Sequence, residues 1–345
     1  MREFFSKLLN GMSIGIVVAL IPNALLGELL KLAIPHAPVL QAVYDSTVFI
    51  MSLLPILIGV MVGISFKLTP IQTASIGIAA MVGGGSVQKT ADGLFALQGI
   101  GIVINTGITA ALAVLFVTFI GNRLKAYSIL LLPTLSILFP GMIGLILLPY
   151  IRSGTGIIGE GIALMTNWQP ILMGALLAVI FCFIILSPIS TVGVATVISL
   201  AGIGSGAANL GIVAAGIGLA IASYKANSLG TALAHVLGSP KIQMRNFFMK
   251  PQIAFPMFLT AAVLGGLAGV LNIQGTPYSA GFGLSGFVGP LNYMRLAEGG
   301  WSAANIFIMA GTFFILPFIL NVILLYVFSK KWSWIKSGDY KLHFD

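Results

Sequence analysis

The chain has 345 residues, length enough for roughly two or three soluble domains. Only 7% of its residues are charged, 58% are hydrophobic and the mean hydropathy is +1.07, whereas a soluble chain carries about 25% charge. That excludes a soluble enzyme, a nucleic-acid binder and a disordered regulator. The net charge of +9 sits in short clusters between apolar runs, as in a membrane protein.

The apolar runs are continuous and not alternating, so the expected fold is an all-α polytopic membrane protein and not a strand barrel. About ten spans are expected, at 12–33, 41–65, 69–86, 100–120, 127–150, 169–188, 190–205, 208–224, 252–271 and 302–328. Arg2 and Lys7 precede the first. That run is too long for a signal-peptide core and lacks a small-residue cleavage site, so it reads as a retained span. Glu28 and Lys31, three apart at its end, read as a helix-surface pair. The following loop holds Pro35, His36 and Pro38 but no Lys or Arg, and is placed outside; Asp45 lies near the outer end of span two.

The third span runs into Val82-Gly-Gly-Gly-Ser-Val-Gln-Lys-Thr-Ala-Asp92. No Gly-Lys-Ser/Thr follows, so this is no phosphate loop; it reads as a helix break exposing amides, with Ser86 as a candidate ligand contact. Its counterpart is Gly202-Ile-Gly-Ser-Gly-Ala-Ala-Asn209. Gln72, Gln98 and Asn105 are polar residues in or beside spans, suited equally to helix–helix hydrogen bonds and to ligand contact. Arg123 and Lys125 follow span four.

Arg152–Met165 and Ser279–Pro290, running on to Asn292, are too polar or glycine-rich to span and too apolar for loops. Both are expected to be re-entrant hairpins, because non-helical backbone at membrane depth survives only when buried in protein or lining a wet cavity, where its amides and carbonyls can bind a polar ligand. Glu160, between two glycines, could accept hydrogen bonds from sugar-like hydroxyls; Ser285 and Asn292 are the candidates in the second hairpin. Cys182, alone in Val179–Leu186, is an apolar filler that provides neither disulfide nor metal site. In Ser223-Tyr-Lys-Ala-Asn-Ser228, Lys225 either snorkels at a helix end or faces a binding cavity together with Asn227. His235, in Leu229–Gly238, could hydrogen-bond a hydroxyl or act as a base. Lys241, Arg245 and Lys250 form a basic cluster, Glu298 lies at the outer surface, and Lys330, Lys331, Lys336 and Lys341 mark a tail. No His, Cys or carboxylate cluster has metal spacing, and no metal or other cofactor is expected.

An internal repeat is visible. Pro55-Ile-Leu-Ile-Gly59 returns as Pro170-Ile-Leu-Met-Gly174, Leu68-Thr-Pro-Ile-Gln-Thr73 as Leu186-Ser-Pro-Ile-Ser-Thr191, and Phe139-Pro140 as Phe255-Pro256. Gly84-Gly-Ser86 matches the region of Gly204-Ser205, and Gly121 matches Gly238, all at offsets near about 117 residues. The expected division of one membrane domain, 1–345, is a first span 12–33, repeats running 41–157 and 158–274, a last span 301–328 and a cytoplasmic tail 329–345. With their hairpins the repeats extend over 41–165 and 166–300. With ten spans every basic cluster falls on one side, which places both termini in the cytoplasm. Duplication of this kind builds transporters whose site lies between the copies.

Gly238-Ser-Pro-Lys-Ile-Gln-Met-Arg-Asn246 and Ala280-Gly-Phe-Gly-Leu-Ser-Gly-Phe-Val-Gly289 resemble the membrane subunit IIC of the bacterial phosphotransferase system, in the branch that includes PfoR-like membrane proteins. The resemblance covers most of the chain. It implies a sugar permease of the bacterial cytoplasmic membrane, two hairpins, a homodimer, and a site built from a hairpin glutamate and an embedded histidine, here Glu160 and His235. That family follows its hairpin glutamate with proline; here Gly161 follows. Phosphorylation would come from separate IIA and IIB proteins, because no catalytic centre is visible in this chain.

The reading is thus a permease that moves a small sugar-like or anionic solute by alternating access. The candidate contacts are Glu160, His235, Lys225, Asn227, Ser285, Asn292, Asn105 and Ser86. Expected partners are the solute (sugar, sugar acid or other anion), a IIB protein, lipid and a second copy, with no nucleic acid. Lys89, Arg152, Lys225 and Arg295 keep an anionic solute open. The alternatives are a membrane-embedded solute sensor without transport, and an ion-coupled secondary transporter.

Overall fold

The computed structural model describes residues 2–342, apart from Gln98, Gly121, Asn122, Lys125, Ala126, Asn167 and Tyr278. Gln98, Gly121, Lys125 and the Glu28 side chain, and with it the expected pair with Lys31, lie outside the described residues. The chain divides into two compact units, Met1–Gly154 and Thr155–His343.

The first unit opens with α1 (Arg2–Ala33). Then come α2 (Leu40–Ser52) and α3 (Leu54–Ser65), bent by 55° at Leu53. Pro55 sits in the first turn of α3, where its missing N–H is no loss, so a new helix starts there. Thr69 and Gln72 form a reciprocal capping box at the start of α4 (Pro70–Gly84), which assigns Gln72 to helix initiation. The helix ends at Gly85, left-handed at φ 73°. A short antiparallel hairpin follows, β1 (Val87–Lys89) with β2 (Phe95–Leu97), the only strand pair among the described residues. Next are α5 (Val103–Ile120), α6 (Ser128–Ser136), a π turn at Ile137–Gly141, and α7 (Met142–Met165), within which the two units divide.

The second unit contains α8 (Pro170–Ile185), the seven-residue α9 (Thr191–Val197), α10 (Gly202–Ser223), α11 (Leu229–Leu237) and α12 (Met244–Met249). These are followed by α13 (Phe255–Val270), α14 (Val288–Leu296), α15 (Ala303–Ala310) and α16 (Leu316–Tyr326), the last two joined by a π turn at Gly311–Ile315.

Small residues let these helices touch backbone to backbone, the usual device where lipid removes any hydrophobic drive between helices. A Cβ at Gly15 of α1 would stand 2.7 Å from Ile58 Cα of α3. In the second unit α8, α10 and α13 pack on one another, and Gly174 of α8 meets Gly265 of α13 so closely that a side chain at either would overlap the other's carbonyl. α10 is the centre of that unit, buried along most of its length.

Among the described residues six helical runs are long and apolar enough to cross a membrane: Arg2–Asn23, Val103–Ile120, Ser128–Met165, Gly202–Ser223, Pro251–Val270 and Ala303–Lys331. The bent pair α2–α3 makes a seventh, and α8 is a shorter apolar helix. The chain is an all-α polytopic membrane protein, but the expected count of ten is not reached by length. Residues 190–205 are no span: α9 stops after two turns and Ser199 turns left-handed at φ 50°. α4 has 15 residues, or about 22 Å at 1.5 Å per residue, against a hydrocarbon core of about 30 Å. The expected hairpin at 152–165 is instead the second half of α7, which continues the same helical run without a break.

Candidate functional site

The second expected hairpin is non-helical. From Ser279 to Phe287 the backbone turns left-handed at Gly281, Gly283, Gly286 and Phe287 before α14 begins. It is buried and tied down. Gly281 carbonyl accepts from Thr191 Oγ1 at 2.8 Å, Gly283 N–H donates to Asn209 Oδ1 at 3.0 Å, and Ser285 Oγ donates to Gly238 carbonyl at 2.6 Å. A side chain at Gly283, besides the cost of its φ of +61°, would run into Ile212 of α10 at 2.6 Å. The glycines therefore let this segment lie flat on α10.

Opposite it stands α11. Ser228 caps the helix by accepting from Thr231 N–H, and its last turn carries His235, fully buried. A carbonyl can only accept, so the 3.0 Å contact between His235 Nδ1 and Ala232 carbonyl fixes the proton on Nδ1. Nε2 is then a bare acceptor, and it has no hydrogen-bond partner. Burial pulls the imidazole below its ordinary value of 6.5, so the ring stays neutral. His235 and Ser285 line one cleft between α10, α11 and the 279–287 segment, with Ile212, Gly216, Pro240 and Phe282 among its walls. The cleft has no room for a water-sized sphere in this conformation.

The other candidates are placed elsewhere. Glu160 is exposed on α7, and Lys225 is exposed in the turn after α10; neither lines the cleft. Asn227 is taken by other main-chain atoms: Nδ2 donates to Ser223 and Tyr340 carbonyls and Oδ1 accepts from Leu342 N–H. Asn292 accepts from Thr276 Oγ1 and donates to Val288 carbonyl. In the first unit, Ser86 is fully buried with its hydroxyl against Met81 sulfur, and Asn105 Nδ2 donates to Gly83 and Gly144 carbonyls at 2.6 and 2.8 Å. Lys89, Arg152, Lys225 and Arg295 are exposed, not embedded in protein.

Two features escaped the sequence reading. Asn105-Thr-Gly-Ile-Thr-Ala-Ala111 on α5 and Asn209-Leu-Gly-Ile-Val-Ala-Ala215 on α10 share a pattern at an offset of 104, and both asparagines hold the main chain of a glycine. Lys241 is the second. Only 4% exposed, it donates from Nζ to the carbonyls of Ser187 (2.5 Å) and Ile189 (2.7 Å), just past the end of α8, and of Ile184 (3.3 Å) in its last turn. No carboxylate pairs with it among the described residues, and burial lowers its pKa. Lying between Pro240 and Ile242 in a run with Arg245 and Lys250, it read as a loop charge.

The chain is a member of the phosphotransferase system EIIC family, whose model matches residues 6–342. It is therefore a multi-pass membrane sugar-permease component of such a system, whose partners include proteins such as IIB. No curated protein matches the sequence.

Proposed function

We propose that the cleft between α10, α11 and residues 279–287 binds a neutral sugar. The observation that carries this is the buried, unpartnered Nε2 of His235. Leaving such an acceptor unpaired costs about 1–3 kcal/mol, and a sugar hydroxyl donating to it removes that cost. Ser285 Oγ spends its proton on Gly238 carbonyl and offers only lone pairs. The cleft thus presents acceptors to donors. A sugar has hydroxyl protons to give; a sugar acid or phosphate brings further acceptors, and no cation lines the cleft to meet them. Lys241, the buried cation nearest in sequence, has its ammonium committed to three carbonyls.

Because the cleft is closed to a water-sized sphere, a sugar enters only after α11 and the 279–287 segment separate, which supports alternating access. Phosphate would come from separate IIA and IIB proteins, the assembly would be a homodimer, and both termini would face the cytoplasm beside those partners. The site rests on His235 and Ser285, not on Glu160, Lys225, Asn227 or Asn292. Titration of purified protein with neutral sugars, sugar acids and sugar phosphates, followed by thermal shift, tests it. Neutral sugars should stabilise the wild type and lose the effect in His235→Ala. Stabilisation by sugar acids that survives His235→Ala would overturn the assignment.

A further inference from the structure

Residues 336–342 lie across the segment that joins α10 to α13, and most of the contacts are read from main-chain atoms. The carbonyl of Tyr340 accepts from Asn227 Nδ2 and from Gln243 Nε2, each at 2.9 Å. Asn227 Oδ1 accepts from Leu342 N–H at 2.9 Å, and Asn246 Nδ2 donates to Lys341 carbonyl at 2.8 Å. Tyr340 itself is 1% exposed and donates its hydroxyl to Ile253 carbonyl at 2.9 Å. Lys250 Nζ pairs with Asp339 Oδ2 at 2.6 Å, and that oxygen also accepts Lys336 N–H.

Asn227 and Gln243 bracket residues 228–242, the stretch that carries His235, Val236 and Pro240 of the cleft and the buried Lys241. A single carbonyl oxygen joins the two ends of that stretch. We propose that residues 336–342 form a strap that holds 228–242 against α10, and that release of the strap frees α11 to open the cleft. Three amide side chains hold the strap by its backbone, and its ion pair is partly exposed, 35% at Lys250 and 21% at Asp339. The exposed part of these contacts exchanges with water at little cost, while the buried Tyr340 ring sets the barrier to release. That suits a closure that must come undone and re-form. The consequence for sugar access rests on the cleft as the solute site; the strap does not.

Hydrogen–deuterium exchange on the full chain in detergent tests the strap. Asp339→Lys removes the ion pair and sets two cations together, and the amides of 229–243 should exchange about fivefold faster, as loss of a partly exposed ion pair implies. Peptides from α10 and α13 should keep wild-type rates. In Asp339→Lys/Lys250→Asp the pair is restored in reverse and the rates return. Unchanged exchange over 229–243 in the single variant, or no return in the double, overturns the proposal. If Asp339→Lys does not fold, Tyr340→Phe, which deletes only the bond to Ile253, should still speed exchange over 229–243 several-fold, and wild-type rates there refute the strap. Sugar binding unaffected by His235→Ala would discard the solute site and leave the exchange result standing.

Discussion

Replacing Lys241 by methionine isolates the energetics of one buried cation. Methionine matches the length of the aliphatic stem and removes the ammonium. It leaves the carbonyls of Ser187, Ile189 and Ile184 facing an apolar group. Two of the three bonds, at 2.5 and 2.7 Å, are short, and hydrogen bonds to a charged group contribute about 1.5–3 kcal/mol each. The long contact to Ile184, at 3.3 Å, adds little. Against roughly 3–6 kcal/mol lost stands the relief of desolvating a charge, several kcal/mol in a protein interior. The net expectation is a destabilisation of about 2–3 kcal/mol, read as a lowered unfolding midpoint in detergent at neutral pH. The pH dependence isolates the opposing desolvation, which favours the neutral amine. Burial sets the folded pKa below 10.5, so between the two values the unfolded chain holds a proton that the folded chain has released. Wild-type stability relative to Lys241→Met must therefore rise with pH across that window and level off above 10.5. A methionine variant as stable as wild type, with a parallel pH profile, would refute the account of Lys241 as a desolvated amine donating to the carbonyls at the end of α8.

Other outcomes follow from the same geometry. As pH falls below 6.5 the unfolded chain protonates its histidine while the buried His235 does not, so stability should drop on acidification, and His235→Gln should flatten that part of the thermal-denaturation profile. Asn105→Leu removes a donor from the Gly83 and Gly144 carbonyls and should cost about 1–3 kcal/mol, measured by chemical denaturation of the detergent-solubilised protein. Gly174→Leu drives a side chain into the carbonyl of Gly265 and should abolish the monodisperse peak in size-exclusion chromatography, whereas leucine at Gly156, where nothing lies within 4 Å of the new Cβ, should be tolerated.

The class of protein was readable from composition, because 7% charge cannot coat a soluble globule. The break after Gly84 and the non-helical stretch near Ser285 were readable because clustered glycines leave few helical hydrogen bonds worth keeping. His235 and Ser285 emerged as candidates for sound chemical reasons and now share a cleft. The same glycine reasoning misjudged 152–165. Glycine costs a helix only about 1 kcal/mol relative to alanine, and Gly154, Gly156 and Gly161 sit in a run already propagating from Met142, with open space where their side chains would be. In an apolar setting the helix is then the cheapest way to satisfy the backbone. Lys241 was illegible because burial depends on α8, which is distant in sequence. The strap was illegible because it is held through main-chain atoms at separations of 97 and 113 residues, which leave no side-chain pattern. The pairing of Asn105 with Asn209 was hidden for another reason: its offset of 104 departs from the roughly 117 of the other matches.

Cys182, the chain's one cysteine, is fully buried among the side chains of α8, α10 and α13. The native protein is thus silent toward thiol reagents, and each engineered thiol becomes a single-site reporter without any background substitution. A cysteine at Thr90 in the exposed β-hairpin would label at once and serve as the positive control. A cysteine at Ser285 would label only as often as the cleft opens, so its rate of modification measures that motion directly in a vesicle or an intact cell.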